Sequence, residues 1–306
     1  MRYPRKLQKG GTIGLVCTSS GVKTKRIDEC VKKMKNLGYK VKIADNLDAC
    51  YGGYMAGTSK VRAQWLNKMF ADPDVDAIFC IRGGDGSSRI MEHLNYELIR
   101  LNPKIFVGYS DVTNLHLALN QKCDFVTFHG PMVSSNLVDD FDEETACSLF
   151  MALNADDNFE FKNPKGFEIK VLKEGKASGK LIGGNLSLLS ASIGTPYEPD
   201  TEGKILFIEE VSEPITKIEK WACHLRNAGL LKKCRGIILG QFTKVVNDAC
   251  PSYNEIRCFE DILEGINIPV MYNIESGHGK PMMTIPMGTI CHMDTATKTI
   301  IFDVKR

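Results

Sequence analysis

No stretch of the 306-residue chain approaches the roughly 18 apolar residues that a membrane-spanning helix needs, so a membrane partner is not expected. An excess of one charge is also lacking. Lys and Arg number 39 against 37 Asp and Glu, a formal charge of +2, and no face is obliged by composition to attract nucleic acid. Eleven cysteines are present, yet none forms a C-x-x-C pair and none joins a compact metal-ligand cluster, so neither metal nor cofactor is expected. Cys17 and Cys80 lie in apolar runs where a thiol behaves as a small hydrophobe, which suits a reduced, cytoplasmic protein. Basic residues precede an apolar run at the N-terminus, but that run, Thr12 to Cys17, is too short for a secretion signal and reads as a first strand. Internal repeats and low-complexity tracts are absent too.

What is there is alternation. GTIGLVCTS reads as a strand, and residues 22–38 as a helix carrying Ile27, Val31, Met34 and Leu37 on one side and ending at Gly38. YKVKIAD, VDAIFCIR, KIFVGYS and DFVTFHG repeat the strand pattern with helical segments between them. Continuous apolar strands of this kind belong in a mostly parallel sheet flanked by helices. Residues 155–178 are polar, glycine-bearing and without helical period, and read as a linker. The second half begins anew with GKLIGGNLSLL, continues through the strands KILFIEEV and CRGIILGQF, and closes as an antiparallel pair around Asp294 to Lys298. The expected fold is therefore two-domain α/β, with an N-terminal domain at 1–154 and a C-terminal domain at 179–306 ending in a β-hairpin.

Within KIFVGYSDVTNLHLAL, Ser110 stands where a strand turns into a helix. It is either an N-cap for the helix or a nucleophile exposed at the C-terminal edge of the sheet, with the N–H of Asp111 aimed at the carbonyl under attack. The pattern is not G-x-S-x-G, since Val112 replaces the second glycine. A nucleophilic hydroxyl needs a base. His93, His116 and His224 fall in helical patterns, His292 in the terminal hairpin, and His129 at a strand end where it either lines a cleft or is structural. His278, between two glycines after a strand, is a loop imidazole with little packing reason to be there; it is a base or is simply exposed. Glu209 and Glu210 end KILFIEEV; they are a polar strand terminus, or Glu209 orients the base. Asp111 could also orient a base, but its adjacency to Ser110 makes that role awkward. IRGGDGSSRI is not a phosphate loop, lacking Gly-Lys-Ser/Thr. Its glycines allow close backbone approach and a second oxyanion donor, or they form a turn before a helix.

Taken in order, GTIGLVCTSSG, GGYMAGTSKVRAQWLN, IRGGDGSSRI, VGYSDVTNLHLAL, FHGPM, LIGGNLSLL, IGTPYEP, ILFIEEV and GHGKPMMTIPMG resemble the LD-carboxypeptidase family of serine peptidases over nearly the whole chain. That family includes muramoyltetrapeptide carboxypeptidases and microcin-immunity enzymes. The resemblance implies a triad of Ser110 (nucleophile), Glu209 (orienter) and His278 (general base). It further implies an oxyanion hole from the backbone of Asp111 and Gly84, a site between the two lobes, and no metal. Arg82 and Asn185 become candidates to hold the substrate's carboxylate and backbone. The implied reaction is release of terminal D-alanine from a small cytoplasmic murein tetrapeptide during wall recycling, by a homodimer. The alternatives are an immunity-type hydrolase of peptidyl or aminoacyl adenylates, and a non-catalytic ligand-binding member of the fold. RGG and GGNLSLL look closer to the murein branch. Asp85 stands where an aromatic residue is common in the resembling enzymes, a departure that bears on substrate preference more than on chemistry.

Overall fold

The computed structural model describes residues 1–139 and 141–305, and the fold is mixed α/β in two compact units. The first comprises Met1–Asp156 together with Lys305. Its strands are β1 (Thr12–Val16), β2 (Lys40–Ile43), β3 (Ala77–Cys80), β4 (Ile105–Gly108) and β5 (Thr127–His129). They pair in parallel in the order β2-β1-β3-β4-β5. β3 and β4 are buried along their whole length, as strands covered on both faces must be. The connections are α1 (Thr24–Asn36), α2 (Ser59–Ala71), α3 (Tyr96–Leu101) and α4 (Thr113–Cys123), and α5 (Glu143–Asn154) ends the unit. Thr58 caps α2 by accepting the Val61 N–H at 3.3 Å, and Asp142 caps α5 by accepting that of Thr145 at 2.7 Å. The strand order reverses between β1 and β3, so the loops leaving the C-terminal ends of these two strands part and form a crevice.

The second unit, Asp157–Val304, contains β6 (Phe159–Glu160), β7 (Lys170–Lys173), β8 (Lys176–Asn185), β9 (Ile205–Val211), β10 (Gly236–Thr243), β11 (Val270–Tyr272), β12 (Ile285–Met287), β13 (Ile290–Asp294) and β14 (Thr299–Phe302). Eight of these form one sheet in the order β6-β14-β13-β8-β9-β10-β11-β7. Its centre, β8 to β11, is parallel, and both flanks are antiparallel, including the terminal hairpin β13–β14. Leu181, Ile205, Phe207, Ile238, Met271, Met293 and Phe302 pack together in its core. The helices are α6 (Leu186–Ala191), α7 (Ile215–Asn227), α8 (Leu230–Lys233) and α9 (Glu255–Ile262). The segment read as a linker, 155–178, in fact supplies β6, β7 and the start of β8. β6 and β7 are the two edge strands of this sheet, where polar residues are tolerated.

Among the described residues no helix is long and apolar enough to cross a membrane.

Candidate active site

Ser110 follows β4 and an extended Tyr109, and its φ of +63° lies in the left-handed region that non-glycine residues avoid. A short 3₁₀ turn, Ser110–Val112, then feeds α4. No side chain caps either helical start, so the Ser110 hydroxyl does not serve as a cap. The turn is tight enough that a β-carbon on Gly108 would meet Val112 at 2.9 Å. The strain is thus kept at one residue of an otherwise regular strand-to-helix junction.

The glycine loop runs beside this turn. A β-carbon on Gly83 would come within 3.1 Å of the Ser110 Cβ and 3.3 Å of its Oγ. The N–H offered as an oxyanion donor, that of Gly84, belongs to the peptide that follows Gly83, and Gly84 itself has φ +115°. Asp111 is buried, and its carboxylate accepts the Ser87 N–H at 2.8 Å while the Ser87 hydroxyl donates to the Asp111 carbonyl at 2.5 Å. The Asp111 side chain thus ties the glycine loop to the Ser110 turn, and burial pushes its carboxyl above the usual range. Asn114 donates to the Ser87 hydroxyl at 2.9 Å and closes the network.

Arg62 braces the loops at this sheet edge, a role that no motif in the sequence announced. It is 1% exposed, and its guanidinium donates to the carbonyls of Gly57 (3.1 Å), Thr18 (2.5 Å) and Gly86 (2.8 Å), clamping three loops at the same sheet edge. A signal was available: Arg62 precedes Leu66 and Met69 by four and seven residues, so a charge sits on the apolar stripe of α2. Arg82 is exposed and lines a cavity of about 330 Å³ with Ser20, Lys23, Asp48, Cys50 and Tyr54, in the crevice where the strand order reverses.

In the second unit, β9 delivers Glu209 with its side chain fully buried, and the Nδ1–H of His278 donates to its Oε2 at 2.7 Å. His278 is 14% exposed. Burial pulls its pKa down, but the Glu209 charge and hydrogen bond, helped by Glu210, outweigh that and leave it above the ordinary value. The flanking glycines have steric reasons: a β-carbon on Gly277, whose φ is +147°, would press on the Glu209 Oε2 at 3.2 Å and on the Gln241 Cβ at 3.0 Å. The Nδ1–Glu209 contact fixes the orientation and tautomer of the ring.

Glu210, also buried, does a different job. It accepts from the Asn185 amide (2.7 Å), the Val211 N–H (2.9 Å) and the Ser187 N–H (2.8 Å) at the start of α6. Neither glutamate is an exposed strand terminus. Asn185 is 4% exposed and its amide is engaged by Glu210 and by the Ser187 hydroxyl at 2.6 Å. In register it stands opposite Glu209. The glycines before it let β8 close on β9, since a β-carbon on Gly183 would fall 1.9 Å from the Phe207 carbonyl oxygen.

The remaining histidines are engaged elsewhere. His116 staples α4 to the sheet: its Nε2–H donates to the Gly108 carbonyl at 2.8 Å and its Nδ1 accepts from the Thr127 hydroxyl at 2.8 Å. Burial pushes it down to about 4, so it is neutral. His129 is fully buried with its ring near those of Tyr109 and His116. His224 bonds Ser190, and His292 bonds Ser178 and Asp303. Cys17 and Cys80 are buried, and burial pushes the Cys80 thiol up to about 12. Among the described residues no group of three or more His, Cys, Asp or Glu could hold a metal ion.

The family model of the LD-carboxypeptidase N-terminal domain matches residues 13–130, and that of the C-terminal domain matches residues 178–293. The chain belongs to the LD-carboxypeptidase family. It is 36% identical to a Bacillus subtilis (strain 168) protein named "Probable murein peptide carboxypeptidase", over 98% of this chain and 94% of that one. It is 28% identical to the microcin C7 self-immunity protein MccF of Escherichia coli, over 96% and 93% of the two chains. Among solved structures, the muramoyltetrapeptide carboxypeptidase from Oxalobacter formigenes aligns with a TM-score of 0.84 at 26% identity, covering 96% of this chain and 99% of that one.

Proposed function

We propose that the protein is a serine LD-carboxypeptidase that releases the terminal D-alanine from cytoplasmic murein tetrapeptides in wall recycling, acting as a homodimer. The observation that carries this reading is the 2.7 Å contact between His278 Nδ1 and the fully buried Glu209, which turns a loop imidazole into an oriented base. The left-handed Ser110, with a hydroxyl that caps nothing, supports it from the other unit.

In the reaction, His278 Nε2 takes the Ser110 proton as Oγ attacks the carbonyl that precedes D-alanine. The N–H groups of Asp111 and Gly84 receive the oxyanion. The intermediate collapses, the C–N bond breaks, and the imidazolium returns its proton to the leaving D-alanine amine. Water, deprotonated by His278, then hydrolyses the acyl-enzyme and frees Ser110. Arg82 pairs with a substrate carboxylate. Asn185, whose amide donates to Glu210 and which stands opposite Glu209 in register, holds the substrate's backbone.

Mass spectrometry of products from a panel of tetra- and pentapeptides tests the proposal. Loss of one alanine from the tetrapeptide, abolished in a folded Ser110→Ala variant, is expected; undiminished release by that variant would refute the assignment. The second reading, an immunity-type hydrolase of adenylates, draws on the likeness to MccF. The same assay with an aminoacyl sulfamoyl adenosine separates the two, because the enzyme should act on whichever class its pocket accepts.

A further inference from the structure

Gln241 occupies the C-terminal part of β10 and is not part of the triad. Its backbone N–H donates to the Ser276 carbonyl at 2.9 Å. Its side-chain Oε1 accepts the Gly279 N–H at 2.7 Å, and its Nε2 donates to the Glu275 carboxylate at 2.7 Å and to the Pro281 carbonyl at 3.1 Å. Those four partners bracket His278 on both sides. Steric fit adds to the polar contacts: a β-carbon on Gly277 would meet the Gln241 Cβ at 3.0 Å, and one on Gly279 would meet its Nε2 at 2.6 Å. Both glycines beside the imidazole are therefore moulded onto one glutamine.

We propose that Gln241 is a positioning residue for His278, fixing the 275–281 loop so that the imidazole stays in register with Glu209. This rests on the reading of His278 as the general base. A glutamine suits the task because it accepts and donates through one planar group. Neither Glu nor Leu can satisfy a backbone N–H and a buried carboxylate together. Glu275 is 7% exposed and burial raises its carboxyl, so the donor from Gln241 is needed to hold it in place. The charged groups facing His278 from β9 are Glu209 and Glu210, while Glu275 belongs to its own loop.

The test titrates the imidazoles of the full-length protein by NMR with labelled histidine, His278→Ala supplying the assignment, alongside steady-state kinetics on tetrapeptide. Gln241→Leu should lower kcat about 10- to 100-fold with KM little changed, the penalty of a slightly misplaced group. Its His278 midpoint should fall toward about 6.5, the ordinary histidine value, as contact with Glu209 loosens. Gln241→Glu should show the same loss of kcat, since it sets two carboxylates together and displaces the loop, while its added charge shifts the His278 midpoint away from the wild-type value. The exchange Gln241→Glu with Glu275→Gln restores a donor and an acceptor in mirrored order and should recover the midpoint and most of the rate. A folded Gln241→Leu whose His278 titrates as in the wild type would overturn the proposal. So would an exchanged pair that behaves no better than Gln241→Glu, a comparison that stands even where Gln241→Leu does not fold. The titration is independent of turnover: a wild type inactive on every peptide would remove the peptidase reading, and the midpoints would still decide the role of Gln241.

Discussion

Glu209 has none of its side chain exposed, yet it carries a carboxylate oxygen 2.7 Å from the Nδ1 of His278, which reaches the surface only in part. A buried carboxylate with one oxygen on an imidazole holds that ring's orientation and favours its charged form. Because the folded pKa lies above the unfolded one, the stabilisation from the charged pair is complete below about pH 6.5 and is lost as pH rises through the folded value. If His278 is the proposed general base, the reaction needs its neutral ring, and activity and this contribution to stability should run in opposite directions with pH.

The acid limb of kcat/KM should therefore lie above about 6.5, with the rate rising as His278 loses its proton. Glu209→Gln should move that limb down and lower kcat on the order of 10³- to 10⁴-fold, since an amide can present either end to the ring. A pH–rate profile of the two enzymes decides it; a limb that stays in place would show that Glu209 does not set the ionisation.

Ser110 is the second test. Glycine tolerates φ +63° without the steric penalty that any β-carbon meets there. Ser110→Gly should be inactive but more stable than Ser110→Ala by about 1 kcal/mol, or about 2–4 °C in Tm for a unit of this size. Equal melting temperatures would remove the strain argument.

His116 predicts an acid weakness. Held neutral down to about pH 4 against 6.5 when unfolded, it opposes protonation in the native state, so stability falls as pH drops from 6.5 toward 4. Between pH 7 and pH 5 the loss should be about 2 kcal/mol. Urea unfolding of the wild type and His116→Gln at both values checks this, because the variant should lose less on acidification.

Gly183→Ala should be among the most damaging changes in the second unit, costing more than about 3 kcal/mol, because the new methyl would meet the Phe207 carbonyl at 1.9 Å with φ at +127°. Gly166→Ala, at φ +91° with open space around it, isolates the backbone term at about 1 kcal/mol. Soluble yield and Tm of the pair give the comparison.

Much of the fold could be read from the chain because its signals are local. Apolar runs such as Ala77–Cys80 and Ile105–Gly108 announce buried strands, and Asp294 to Lys298 announces the hairpin turn. The strands within 155–178 were hidden because β6 has two residues, β7 is lysine-rich, and both find partners far along the sequence, at β14 and β11. The surroundings of individual side chains were hidden for the same reason. Whether Asn185 faces a ligand or a glutamate depends on which residue of β9 stands opposite, and no spacing within GGN states that. Glu209 and Glu210 are neighbours of identical chemistry, and only the pleat and the 277–279 loop separate their tasks. Arg62 is the exception, a charge written into an apolar stripe.

Seven of the eleven thiols are enclosed, while Cys50, Cys147 and Cys250 face outward. Cys50 shares its cavity wall with Arg82. The molecule thus comes with its own attachment point for a fluorophore or spin label at the mouth of that crevice. Once Cys147, Cys250 and the part-exposed Cys223 are replaced by serine, occupancy there could be followed optically without touching any group assigned to the chemistry.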